Sequence, residues 1–228
     1  MKLTKYGQRE WFLLMMPLVL LGALALGADK LTTGWWVAFC AYMPVLLFTL
    51  WFFRDPERPT PTALGLFISP ADGIVADITP IGPESRIKRD GVQIGVFMNV
   101  FSVHVNRAAC EGIVTSIEHK LGSFLDVRKP ESYELNESTT ICMDYEHNGE
   151  TYPVVMRQIS GLVARHIITD VVPGQLLRRG ERFGMIKFGS RVELLLPKEL
   201  VGEVPVEIGQ PAFAGKTVLA KQPAGDAE

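Results

Sequence analysis

Two uncharged runs open the chain, Trp11–Gly27 and Trp35–Phe53, and neither shows a polar face. Runs of 17 and 19 residues lie at the lower edge of what crosses a bilayer, about 20 apolar residues. Trp11, Trp35, Trp36 and Trp51 stand near the run ends, where indole rings favour the headgroup level. Pro17 and Pro44 lie inside the runs, and each removes a helix donor. Lys2, Lys5 and Arg9 precede the first run and Arg54 and Arg58 follow the second, with only Lys30 beside Asp29 between. The pattern predicts a membrane-anchoring helical hairpin over residues 1–53, turning at Ala28–Gly34, with both ends on the cytoplasmic side. A cleaved signal peptide fits less well, because a second apolar run follows at once. A hairpin lying in the interface without crossing is the remaining alternative.

Beyond Arg54 the pattern changes. Pro56, Pro59 and Pro61 predict an extended linker over 54–65. From Leu66 onward the apolar runs are short, β-branched and bounded by Gly or Pro. They are Gly73–Ile78, Val92–Phe97, Gly112–Ile117, Ser138–Met143, Tyr152–Ile159, Arg191–Leu196 and Thr217–Ala220. Many short strands with turn signals predict a compact β-rich domain over 66–221, and so an α+β, mainly β protein. Ser160–Thr169, free of proline, predicts one helical piece, and Gln222–Glu228 a flexible tail.

Composition adds two exclusions. The chain of 228 residues has a formal net charge of −2, which gives no argument for nucleic-acid binding. Cys40, Cys110 and Cys142 are odd in number and lack metal-ligand spacing, so no disulfide framework and no metal site is expected.

Candidate chemistry is sparse. His147 sits in a turn signal, Tyr145-Glu146-His147-Asn148-Gly149. His119 follows a strand-like run without an evident partner, and His166 falls on the expected helix. His104 differs: it lies in the apolar run Phe97–Arg107, where an ionisable ring needs a hydrogen-bond partner. Asp72 occupies the tight turn Ser69-Pro70-Ala71-Asp72-Gly73, which turn chemistry alone explains. Gly189-Ser190 stands between two strand-like runs and reads first as a hairpin turn or bulge. Glycine also lets the chain bend so that the Ser190 hydroxyl can approach the carbonyl before it. Attack there turns the amide into an ester, and elimination from the ester cuts the chain.

Four motifs then occur in order: Phe52-Phe53-Arg54-Asp55-Pro56-Glu57-Arg58, Ser69–Gly73, Val103-His104-Val105-Asn106-Arg107 and Phe188-Gly189-Ser190. Behind an apolar N-terminal segment, this set resembles the phosphatidylserine decarboxylase proenzymes, in particular their short bacterial and archaeal type. The resemblance runs from about Phe52 to the C-terminal region. It implies a self-processing enzyme cut between Gly189 and Ser190 into a β chain, 1–189, and an α chain, 190–228. Ser190 becomes a pyruvoyl group that forms a Schiff base with the substrate amine, His104 serves as base for self-cleavage, and Asp72 orients His104. The implied substrate is phosphatidylserine in the membrane, decarboxylated to phosphatidylethanolamine. The implied assembly is a heterodimer of the two chains, with a higher oligomer open. Some longer relatives carry a second histidine where Phe101 stands, so the donor of the final proton is unassigned. Arg54, Arg58, Arg107 and Phe101 are the substrate-binding candidates.

Other classes compete. The same chemistry on archaetidylserine keeps the mechanism. A serine hydrolase using Asp72, His104 and Ser190 would lack the Gly-x-Ser-x-Gly elbow. A non-enzymatic β-domain, such as a lipoyl-like carrier, would want a lysine at a hairpin tip, and Lys187 lacks that context.

Overall fold

The computed structural model describes residues 2–27, 33–162, 166–187 and 189–223. Two compact units divide between Glu57 and Arg58.

The N-terminal unit is a pair of helices, α1 (Gln8–Gly27) and α2 (Thr33–Phe52), after a 3₁₀ turn at Lys5–Gly7. Its ends are tied together: Thr4 N–H donates to the Phe53 carbonyl at 2.9 Å, and Asp55 N–H to the Lys2 carbonyl at 2.8 Å. The Tyr42 hydroxyl donates to the Leu14 carbonyl between the helices. Large apolar side chains point outward, among them Phe12 (70% exposed), Val19 and Val37. Nevertheless, among the described residues no helix is long and apolar enough to cross a membrane. This corrects the two-span reading. α1 opens with Gln8, Arg9 and Glu10, so its uncharged part is short, and Pro17 and Pro44 lie inside the two continuous helices. Most of the expected turn, residues 28–32, lies outside the described residues.

The C-terminal unit is mainly antiparallel β. Its strands are β1 (Leu66–Ile68), β2 (Gly73–Ile81), β3 (Gly91–Met98), β4 (Val105–Arg107), β5 (Gly112–Lys120), β6 (Ser138–His147), β7 (Glu150–Ser160), β8 (Ile167–Thr169), β9 (Leu176–Leu177), β10 (Arg182–Ile186), β11 (Ser190–Pro197), β12 (Pro211–Ala212) and β13 (Val218–Lys221). A short helix, α3 (Glu131–Leu135), lies between β5 and β6. Eight strands form one sheet in the order β12-β2-β3-β11-β7-β6-β5-β9; β4-β10-β8 form a second and β1-β13 a third. All seven runs expected as strands are strands.

Alternation sets the core. Ile94, Val96 and Met98 of β3, Val192, Leu194 and Leu196 of β11, and Val154 and Met156 of β7 share one buried cluster. A smaller cluster, Ile87, Val155 and Leu195, covers the other face, so every residue of β11 is buried. On that second face Arg191, Glu193 and Arg157 are almost fully buried and joined. Arg191 forks onto both carboxylate oxygens of Asp77, reaches Glu193 at 2.9 Å and stacks on Tyr133 at 4.1 Å. Burial works against the charge of Arg191, and Asp77 and Glu193 outweigh it, so its pKa is raised.

The expected helix over Ser160–Thr169 does not form. Ser160 ends β7 opposite Ser190, and Ile167–Thr169 pairs with Gly184–Ile186 of β10. Residues 163–165 lie outside the described residues. Long-range pairing overrides the local preference there. His147 is the last residue of β6 rather than a turn residue, and Asn148-Gly149, both at positive φ, makes the hairpin.

Candidate active site

Ser190 opens the central strand β11. Its register partners are Met98 on β3 and Ser160 on β7, and all three are buried. The Ser190 hydroxyl donates to the Met98 sulfur at 3.4 Å. Gly189, just before it, is at φ +56°, a conformation that L side chains rarely adopt. Phe188 lies outside the described residues.

A buried polar chain continues from Met98. Asn106 Nδ2 points at the same sulfur at 3.8 Å, Gln158 Nε2 donates to Asn106 Oδ1 at 2.8 Å, and the Thr169 hydroxyl donates to Gln158 Oε1 at 2.9 Å. Four separate segments are thereby fixed around Ser190. Gln158 and Thr169 carried no sequence signal, since a single polar residue inside a strand looks like its solvent face.

The segments that carry Asp72, His104 and Gly189-Ser190 come together at this end of the sheet. The Ile186 N–H, three residues before Gly189, donates to the His104 carbonyl at 3.3 Å, and the His104 ring is fully buried. The Arg107 N–H donates to the Pro70 carbonyl at 2.9 Å, which joins the Asp72 turn to the strand that follows His104. The Asp72 carboxylate is turned elsewhere: Arg58 grips both its oxygens and the Ala214 N–H donates to it at 2.8 Å. His104 is not among its hydrogen-bond partners.

The substrate-binding candidates separate. Arg58 is engaged by Asp72 and by the Ala214 carbonyl at 2.8 Å. Arg107 is buried and donates to the Gly180 carbonyl at 3.1 Å. Arg54 belongs to the N-terminal unit and stacks on Trp51 at 3.8 Å. Phe101 is 65% exposed, three residues beyond Met98, and Leu162 is 64% exposed, two beyond Ser160. Leu125 joins them through Asn136, whose Nδ2 donates to the carbonyls of both Leu125 and Ser160 at 2.8 Å. An apolar rim therefore borders the Ser190 end of the sheet.

The other histidines stand apart. His119, for which the sequence suggested no partner, meets Thr139 at 3.0 Å and Glu137 at 3.6 Å. His166 is exposed ahead of β8. A cleft of about 570 Å³ lined by Cys110, Tyr145, His147 and Arg179 lies at the opposite end of β6 and β7 and includes neither Gly189 nor Ser190. Burial pushes the Cys110 thiol up to about 12, so it is protonated and unsuited to nucleophilic chemistry near neutral pH.

Residues 45–220 match the sequence model of the family described as "Phosphatidylserine decarboxylase". The chain belongs to that family. It is 37% identical over 220 residues to the phosphatidylserine decarboxylase proenzyme of Carboxydothermus hydrogenoformans, covering 96% of this chain and 97% of the relative. The proenzyme of Paramagnetospirillum magneticum is 40% identical over 228 residues, with 96% and 89% covered. That of Nitratidesulfovibrio vulgaris is 42% identical over 191 residues, with 83% and 84% covered. Membership makes this an enzyme family of decarboxylases made as proenzymes, and an action on membrane lipid points to membrane association.

Proposed function

We propose that this member of the phosphatidylserine decarboxylase family cuts itself between Gly189 and Ser190 and uses the resulting pyruvoyl group to convert phosphatidylserine to phosphatidylethanolamine and carbon dioxide. The observation that carries the reading is the junction itself: a positive-φ glycine before a buried serine at the head of the central strand, in a chain whose relatives are named proenzymes.

The chain's residues support each step. The Ser190 hydroxyl gives its proton to a base and adds to the Gly189 carbonyl carbon. The Gly189–Ser190 C–N bond breaks, leaving an ester and a free amine. Loss of the Ser190 α-proton with cleavage of its Cβ–Oγ bond releases the Gly189 carboxylate. One water then enters and one ammonia leaves, and residue 190 ends as pyruvoyl. His104 is the proposed base, since its backbone is bonded to Ile186 on the approach to the junction. Asp72 is the proposed acid that orients His104: its turn is joined to the strand after His104 by the Pro70–Arg107 hydrogen bond, and Arg58 grips its carboxylate.

When formed, the pyruvoyl group supplies an electron sink for loss of carbon dioxide. The position suits it: an uncharged keto acyl group with the same three carbons, ending in a methyl, replaces a buried serine beside Met98. The tight register of β11 between β3 and β7 holds residue 190 after the chain is cut. The apolar rim and the outward apolar residues of the N-terminal helices support work at a lipid surface, with the hairpin lying in it and the catalytic unit on the cytoplasmic side. The cut chains, 1–189 and 190–228, stay paired as a heterodimer through the shared sheet.

Intact mass under denaturing conditions tests the reading. The wild type should give two chains divided at Gly189–Ser190, the smaller lighter by one ammonia than its sequence. Ser190→Ala should stay whole. A whole wild-type chain, or a cut Ser190→Ala chain, overturns the reading.

A further inference from the structure

The last register pair between β7 and β11 is Ser160 with Ser190, and just beyond it Gly161 lies against the Gly189 carbonyl. The two glycines serve different ends. A Cβ on Gly189 would meet nothing within 4 Å, so that position needs glycine for its φ of +56°. Gly161 has no positive φ. It needs glycine for space: a Cβ there would lie 2.2 Å from the Gly189 carbonyl oxygen, 3.1 Å from the Gly189 carbonyl carbon and 3.3 Å from Val127 Cγ1. The carbonyl at the proposed cut thus lies directly against the Cα of Gly161.

We infer that Gly161 is a positioning residue for self-cleavage, the floor that fixes the direction of the Gly189 carbonyl so that the Ser190 hydroxyl meets its open face; this rests on the self-processing reading above. Attack within one dipeptide needs the carbonyl turned relative to the neighbouring hydroxyl, and an untethered junction would sample many directions. Two fixed walls remove that freedom: the register of Ser190 between Met98 and Ser160 on one side, and the Gly161 backbone on the other. Any side chain at 161 must push the carbonyl oxygen away by about 1 Å, and a displacement of that size costs on the order of 10²-fold in a positioned reaction. Val127, the next contact, is a side chain and can yield, whereas the carbonyl is part of the reacting bond.

The test follows chain cleavage by intact mass in the full-length protein, with near-ultraviolet circular dichroism as the check on the fold. Gly161→Ala should be folded and should cleave about 10²-fold more slowly than the wild type. Val127→Ala should cleave normally, and Gly161→Ala with Val127→Ala should be as slow as Gly161→Ala alone. Wild-type cleavage with an equally fast Gly161→Ala overturns this inference and leaves the self-processing reading standing. Restoration by Val127→Ala overturns it too, because the obstruction would then be side-chain packing. A Gly161→Ala chain without native dichroism counts against it, since positioning requires a folded, uncut protein. An uncut wild type overturns both.

Discussion

Arg58 closes on Asp72 with both guanidinium nitrogens, and the pair is buried at 12% and 9% side-chain exposure. The carboxylate that the family resemblance assigns to His104 is thus held first by an arginine from the linker. Removing Arg58 leaves a buried carboxylate with only the Ala214 N–H. Arg58→Met should therefore lower stability by about 3–5 kcal/mol, read as a lower urea midpoint, and slow self-cleavage. An unchanged midpoint would show that Asp72 finds another partner.

Arg191 anchors the strand whose first residue is Ser190. Its fork on Asp77, its contact with Glu193 and its stacking on Tyr133 all lie on the face opposite the core. Arg191→Met should leave Glu193 and Asp77 short of a partner and lower stability by about 3–5 kcal/mol. After cleavage, the Arg191 and Val192 amides at the head of β11 should exchange faster, because a strand end without its clamp frays.

Ser160 behaves oppositely. Its hydroxyl is buried and has no hydrogen-bond partner among the described residues. Ser160→Ala removes that burden without changing the backbone, so stability should rise by about 1 kcal/mol. Cleavage should proceed at the wild-type rate, in contrast to Gly161→Ala one residue later. A Ser160→Ala chain that stays whole would mean the hydroxyl takes part in the reaction.

The apolar rim gives a surface prediction. Phe101→Ser with Leu162→Ser exchanges two side chains exposed by 65% and 64%, so folding and cleavage should be unaffected. Decarboxylation of phosphatidylserine in vesicles should fall several-fold, while a short-chain water-soluble analogue should be turned over normally. Equal losses on both substrates would place these residues outside any lipid contact.

Cys110 sets an alkaline limit. Its folded-state pKa is raised to about 12 by burial, above its ordinary value of 9.0. The unfolded chain therefore releases the thiol proton first. The stabilising contribution is complete below pH 9.0 and falls as pH rises towards 12. Cys110→Ala should flatten that part of the stability curve in urea titrations between these limits; an unchanged slope would assign it to other groups.

Much of the fold was legible in the chain. Short β-branched runs bounded by Gly or Pro marked β2, β3, β5, β6, β7, β11 and β13, because strand propensity and turn chemistry are local. β8, β9 and β12 were not marked. They are two or three residues long and exist because strands distant in sequence pair with them. The supposed helix at 160–169 failed for the same reason, since Ser160 and Ile167 are each claimed by a different sheet. Among site residues, Ser190, Gly189, His104 and Asp72 stood out by motif. Arg58 stood out as a headgroup candidate, and its partner is Asp72. Gly161 carried no signal, because a glycine at a strand end commonly means a turn.

By itself the sequence determined what is local: where strands run, which bond a serine after glycine can attack, and which residue types carry charge at the site. The tertiary structure decided what stands beside that bond. Gly161, Met98 and Gln158 approach Ser190 only through the antiparallel register of β3, β11 and β7. Alternation says which face a residue takes, and it is silent on which distant residue it will face, because that choice is made by hydrogen bonds between strands.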